Sequence, residues 1–158
     1  MKTIQITDIA ENEAIIRACQ ICFVAMCDSQ GLPYVVPMNF VYHNQTLYFH
    51  SAPQGKHLDI LAHQPQVCVS FCAEATLVYQ HQQVACSYRM QSKSVLCKGK
   101  VGFIDSLAEK ETILNKLMKN FIGHDFKYSL PALKNVKVWK MPIDEITGKA
   151  FGVPHQKP

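Results

Sequence analysis

The chain has 158 residues, 48% hydrophobic and 18% charged, an ordinary balance for one globular domain. Its formal net charge is +4, but there is no Lys/Arg-rich block and no basic stripe interleaved with aromatics. The composition therefore argues against a nucleic-acid partner and suits a small anionic ligand. No apolar run reaches the roughly 18 residues of a membrane-spanning helix, so no membrane association is expected. The N-terminus "MKTIQITDIAENEAIIRACQ" carries acidic residues and no continuous apolar segment, which argues against a signal peptide. Seven cysteines, an odd number mostly inside apolar runs, read as buried and reduced, and a cytoplasmic location is expected. Cys19 and Cys22 form a CxxC with no second pair at a matching spacing, so no metal site is expected.

Elements follow in chain order. Asp8-Ile9-Ala10-Glu11 fits a capping box opening a helix, with Ile9, Ile15, Ile16 and Cys19 as its apolar positions. "ICFVAMC" reads as a strand, "DSQGLP" as a turn, "YVVPMNFVYH" as one further strand, and "NQ" as a tight turn into the strand "TLYFHS". A helix is predicted over 54–63, stopped by Pro65. "QVCVSFCAE" alternates as a strand and could be buried on both faces. "ATLVYQHQQVACSYRMQ" reads as a long excursion with an edge strand. "KSVLCKGKVGFID" is a strand whose Gly99 and Gly102 mark a bulge or a close backbone approach. Ser106-Leu107-Ala108-Glu109 caps a helix with an apolar stripe at Ile113, Leu114, Leu117, Met118 and Phe121, ended by Gly123. "SLPALKNV" reads as irregular and "VKVWKMPIDEITGKAFG" as one or two last strands. Many adjacent strands without crossovers, and no GxGxxG, point to a mainly β fold: a small antiparallel barrel with helices outside it.

Several residues stand out on their own chemistry. Gly55-Lys56 opens a helix without the GxxxxGK[ST] spacing of a P-loop. A lysine beside free N–H groups at a helix start suits a single terminal phosphate, with Ser51 as a hydroxyl donor and Gly55 allowing close approach. The bland alternative for Lys56 is a solvated surface lysine. Pro37-Met38-Asn39 interrupts a strand ladder, which by itself reads as an edge strand. His50 before the turn reads equally as an ordinary strand histidine. Trp139, the single tryptophan, reads as core or interface packing.

"VPMNFVYHNQTLYFHSAPQGKHLDIL" followed by "QPQVCVSF" resembles the pyridoxamine 5′-phosphate oxidase-like FMN-binding split-barrel family, and within it the nitroimidazole-resistance (Nim) related branch. "SKSVLCKGKVGFID", "AEKETILNKLM" and "MPIDEITGK" agree in order, so the likeness runs over about residues 21–149 of a single domain spanning 1–158. The resemblance implies an antiparallel split barrel working as a homodimer, with the flavin at the interface. It implies FMN, with FAD allowed by the same phosphate grip, and NAD(P)H or another donor as reductant. It places the flavin against Pro37, Met38, Asn39, His50, Ser51, Ala52, Gly55 and Lys56, and against Ser94 and Val95 across the dimer. It gives His50 a catalytic role, donating a proton near a nitro group, and leaves Lys149 in "ITGK" without a role. Only Lys56 remains of the basic pair that true pyridoxamine phosphate oxidases carry, and the Arg-rich end is missing, which argues against that activity. The implied function is electron transfer from reduced flavin to a small acceptor such as a nitroaromatic. The alternatives are a non-enzymatic flavin carrier or sensor and a haem-binding relative on the same barrel.

Overall fold

A computed structural model describes residues 2–153. The expected domain's outermost residues, 1 and 154–158, lie outside that range. The chain opens with a strand that no apolar run announces, β1 (Lys2–Ile6), followed by the expected helix α1 (Ile9–Ala18). Asp8 caps α1, but its carboxylate accepts from the Ala10 N–H at 3.0 Å, not from Glu11, whose own carboxylate pairs with Lys93 at 3.4 Å. Strands β2 (Cys22–Cys27) and β3 (Pro33–Met38) form a hairpin, and Asp28 Oδ1 holds its turn by accepting from the Gln30 and Leu32 N–H groups at 2.9 Å each.

The run "YVVPMNFVYH", expected as one strand, is two. β3 ends at Met38, Asn39 and Phe40 cross between sheets, and β4 (Val41–His43) begins the second sheet. Pro37 is tolerated because β3 is an edge strand, where a missing N–H breaks no ladder bond. Asn44 and Gln45, at φ 48° and 52°, form the two-residue turn into β5 (Thr46–Ser51). Helix α2 (Lys56–His63) starts two residues later than expected and stops short of Pro65.

The expected excursion after residue 74 is largely a hairpin. β6 (Gln66–Val78) and β7 (Arg89–Lys100) stay paired out to Val78 and Arg89, with a bulge at Glu74 and a short 3-10 turn at Ala85–Ser87 beyond. β6 also buries one face only, Val67, Val69 and Phe71, while Cys68 and Ser70 are half-buried and Cys72 is exposed. β8 (Gly102–Ile104) leads to α3 (Leu107–Ile122), capped by Ser106 accepting from the Glu109 N–H at 3.4 Å and closed by Gly123 at φ 90°. Phe121, placed in the apolar stripe by its spacing, is 44% exposed. "SLPALKNV" is not irregular. It holds a short helix, α4 (Leu130–Lys134), capped by Ser129. β9 (Lys137–Pro142) and β10 (Glu145–Val153) complete the described chain.

The strands form two antiparallel sheets, in the orders β1-β10-β7-β6-β2-β3 and β4-β5-β9-β8, which do not close into one continuous barrel. The split-barrel architecture with flanking helices is thus as expected. The two sheets come closest at Gly99, where any Cβ would collide with the Pro142 carbonyl, so the expected close approach is real. The main core lies between the sheets and under α1 and α2, and includes Val24, Phe71, Val69, Leu47, Phe49 and Trp139. A second core of Ile104, Ile113, Leu114, Leu133 and Val138 lies between the four-stranded sheet and helices α3 and α4.

The cysteines are all unpaired but less buried than expected. Only Cys22 and Cys97 are buried, where burial pushes both thiols up to about 12. Cys27, Cys72 and Cys86 are exposed. None of the described helices is long and apolar enough to cross a membrane.

Trp139 has no exposed surface and stacks on Phe49, with ring centroids 4.1 Å apart and an interplanar angle of 22°. It is a core residue. Trp139→Ala should lower unfolding stability by about 3–5 kcal/mol, measured by denaturant titration; a loss under about 1 kcal/mol would contradict this packing role.

Candidate functional site

The candidate residues gather first around the link from β5 to α2. Gly55 is the N-cap of α2 with φ 149° and ψ 154°, a conformation that favours glycine, and a Cβ there would press to 3.0–3.1 Å on the His57 ring. No side chain caps this helix. The Leu58 and Asp59 N–H groups return to the Gly55 carbonyl, at 2.9 and 3.2 Å. The N–H groups of Lys56 and His57 are therefore left facing outward, with the positive end of the helix dipole behind them. Lys56 is exposed, and its Nζ lies 4.9 Å from the centre of the Tyr34 ring, so the helix start sits against the edge strand β3. Ser51 is half-buried and donates its hydroxyl hydrogen to the Ala52 carbonyl at 3.0 Å, so the donor expected for a phosphate is taken up within the chain and would have to turn to reach one. Ala52 is exposed beside it.

Asn39 lies in the crossing between β3 and β4, and His50 near the end of β5; the β4–β5 ladder ends at Val41 opposite Tyr48, before either residue is reached. Met38 packs against the main core, and its carbonyl accepts from the Cys22 thiol at 3.4 Å. Pro37 is exposed and stands opposite Phe23. His50 is half-buried and stands opposite Val138, so it shares the sheet face turned toward α3 and α4; Phe49 and Trp139 occupy the other face. Its Nδ1 is enclosed with no hydrogen-bond partner, as is Nε2 of His57. Burial pushes the pKa of both imidazoles below the usual histidine value. At neutral pH both rings are uncharged.

Ser94 and Val95 are separated from this group and from each other. Ser94 stands between Cys72 and Lys149 on the outward face of the six-stranded sheet. Val95 points the opposite way, is fully buried between Phe71 and Gly148, and can offer a ligand only its backbone. That outward face carries a continuous row across the strands, Pro37-Phe23-Ser70-Leu96-Thr147, with Phe23 50% and Leu96 38% exposed.

One further residue belongs to the candidate site that sequence reasoning did not find. Lys137 stands directly opposite Ser51 in the β5–β9 ladder, with its Nζ 3.2 Å from Asp105 and 4.9 Å above the Phe103 ring. Its backbone stands beside the end of β5, while its ammonium is engaged on the β8 side of β9 by Asp105 and Phe103. Nothing in the local sequence marks it, because only strand pairing brings it there.

A family model described as pyridoxamine 5′-phosphate oxidase matches residues 8–150, and the chain belongs to this family, whose members bind flavins. Among solved structures, a candidate 5-nitroimidazole antibiotic resistance protein from Bacteroides thetaiotaomicron is 48% identical, covers 94% of this chain and 87% of its own, and superposes with a TM-score of 0.86. The flavocytochrome Anf3 of Azotobacter vinelandii (22% identity, 98% of this chain and 72% of its own, TM-score 0.81) shares the fold. So does an FAD- and haem-binding protein of Mycobacterium smegmatis (19%, 97% and 76%, TM-score 0.83). No curated protein matches.

The buried neutral histidines set a pH dependence. The unfolded chain binds protons on these rings near the ordinary value of 6.5, while the folded chain binds them only at lower pH. Their contribution to stability is therefore complete above about pH 6.5 and declines as pH falls below it. NMR titration should find the His50 midpoint below 6.5; a midpoint at or above 6.5 would contradict the enclosed position of Nδ1.

Proposed function

We propose that the chain is an FMN-dependent oxidoreductase of the Nim-like branch, a cytoplasmic homodimer with the flavin between subunits. It would pass electrons from NAD(P)H or a comparable donor to a small acceptor such as a nitroaromatic. The observation that carries this reading is the open start of α2: Gly55, two outward N–H groups and Lys56, with Ser51 beside them and no side-chain cap to compete. An uncapped helix start of this kind favours a nearly doubly charged phosphate. FAD would present the same phosphate chemistry to this turn. Likeness to a protein described as a candidate nitroimidazole resistance factor supports the choice of acceptor.

When bound, the flavin supplies the redox chemistry, accepting electrons from a donor and delivering them to an acceptor. The chain's residues bind and orient. Lys56 and the α2 N–H groups would neutralise the phosphate, while Asn39 and the Met38 backbone would meet the polar edge of the ring system. Ala52 and Pro37 would offer backbone and apolar contact. His50 would hold a proton on Nε2, since keeping the hydrogen there leaves a lone pair, and not an N–H, in the enclosed Nδ1 position. The neutral ring would donate this Nε2–H as a hydrogen bond to the oxygen as it leaves the acceptor, with solvent supplying the proton that completes the step. The outward row through Phe23 and Leu96, on the face that also carries Ser94, is the surface a second copy would cover, and it would let Ser94 reach the partner's flavin. The missing basic partner at Gly55 argues against pyridoxamine phosphate oxidation.

Lys56→Ala should weaken FMN binding about tenfold, roughly the low end of a charge-assisted hydrogen bond because the side chain is exposed, with unfolding unchanged. Fluorescence titration of FMN measures it, and unaltered affinity would remove Lys56 from the site. His50→Ala should keep FMN bound and lower turnover of a nitroaromatic with NAD(P)H by about a hundredfold. Full turnover in that variant would rule out the proton role, and flavin binding without turnover in the wild type would make the protein a flavin carrier.

A further inference from the structure

A second cavity lies away from the candidate flavin residues, between the last turn of α1, strand β4 and the C-terminal half of α3. Its volume is about 590 Å³, the size of a small-molecule pocket. Arg17, Lys116 and Lys119 face it, together with His43 and the amides of Gln20 and Asn120, and no carboxylate lines it. Among the described residues neither Lys116 nor Lys119 has an acidic partner. Arg17 is held in place: Glu13 pairs with it at 3.6 Å, and its guanidinium lies 4.8 Å above the Tyr42 ring. Tyr42 in turn donates to Glu13 at 2.7 Å, so the Glu13 carboxylate is occupied on the far side of the ring's hydroxyl.

The floor is aromatic and fixed. Phe40 is 7% exposed and packs edge-on against Phe71 at 5.0 Å. Phe121, which has the spacing of a core residue but is exposed, forms one wall. Both α1 and α3 end at this cavity, and their C-terminal dipoles bring about half a negative charge each; with Glu13 beside Arg17, the three cations keep an excess of about one positive charge. The result is a cationic rim around a concave site with Phe121 as its exposed aromatic wall.

We propose that this cavity is a binding site for a small aromatic carboxylate, its ring against the exposed Phe121 and its carboxylate on Lys116, Lys119 and Arg17. The proposal does not rest on the flavin reading, since none of these residues is a candidate flavin contact. The test is calorimetric titration of the whole protein with 2-naphthoate and with its uncharged counterpart 2-naphthalenemethanol, with and without excess FMN. Naphthoate should saturate one site per chain, bind about tenfold more tightly than the alcohol, and weaken as salt is raised beyond about 0.15 M. Lys116→Ala/Lys119→Ala, two substitutions on the accessible side of α3, should cost naphthoate about tenfold in affinity and leave FMN uptake and the thermal midpoint unchanged. Equal affinity for the alcohol, insensitivity to salt and to the double substitution, competition by FMN, or no saturable binding would each overturn it. Should the double variant unfold, the charge and salt dependence of the wild type decides.

Discussion

The stack of Trp139 on Phe49, a cross-strand pair in the four-stranded sheet, fixes the register on which the candidate site depends. β5 and β9 are the inner strands of the four-stranded sheet, and each presents one face to the main core and the other to α3 and α4. Side chains alternate with a period of two, so placing Phe49 and Trp139 in the main core puts Val138 and His50 on the helix side. A slip of one residue in β5 would exchange its two sets and bury His50 where the Phe49 ring now lies. The same register sets Ser51 opposite Lys137 and launches the chain into the Gly55 turn. The Gly55 turn is therefore held by packing in the core, away from the turn itself.

That arrangement distributes the candidate residues over distinct surfaces. Ser51, Gly55 and Lys56 lie at the end of one strand and the start of one helix; Asn39 lies where the chain leaves β3 for β4. Ser94 lies on the outward face of the other sheet, while its neighbour Val95 is sealed in the core. A ligand touched by both groups would have to be approached from two directions, which a symmetric pair of chains provides and one chain does not. The cationic cavity is a third surface, made by the ends of two helices and the edge strand β4.

Much of the local structure was legible before any coordinates. Ser106 and Gly123 bracket α3, Asp28 makes its turn, and Asn44-Gln45 reverses the chain, because in each case the determining side chain acts within four residues of where it sits. The errors share a cause. "YVVPMNFVYH" looks like one strand since every residue in it suits a strand, and only the separate partners of β3 and β4 divide it. The outer half of β6 and β7 is polar enough to resemble a loop, yet the hairpin's own hydrogen bonds carry it outward without a core. β1 is short and weakly patterned, and its pairing with β10 is what makes it a strand.

The sequence by itself determined the fold class, the family and the chemical character of the Gly55-Lys56 turn, because caps, turns, alternation and short motifs are written in neighbouring residues. Tertiary structure alone decided which face His50 occupies, that Val95 points inward while Ser94 points out, that Lys137 stands beside Ser51, and that Arg17, Lys116 and Lys119 surround one cavity. Those relations depend on strand register and helix packing between segments far apart in the chain, and no local pattern records which distant partner a strand will choose.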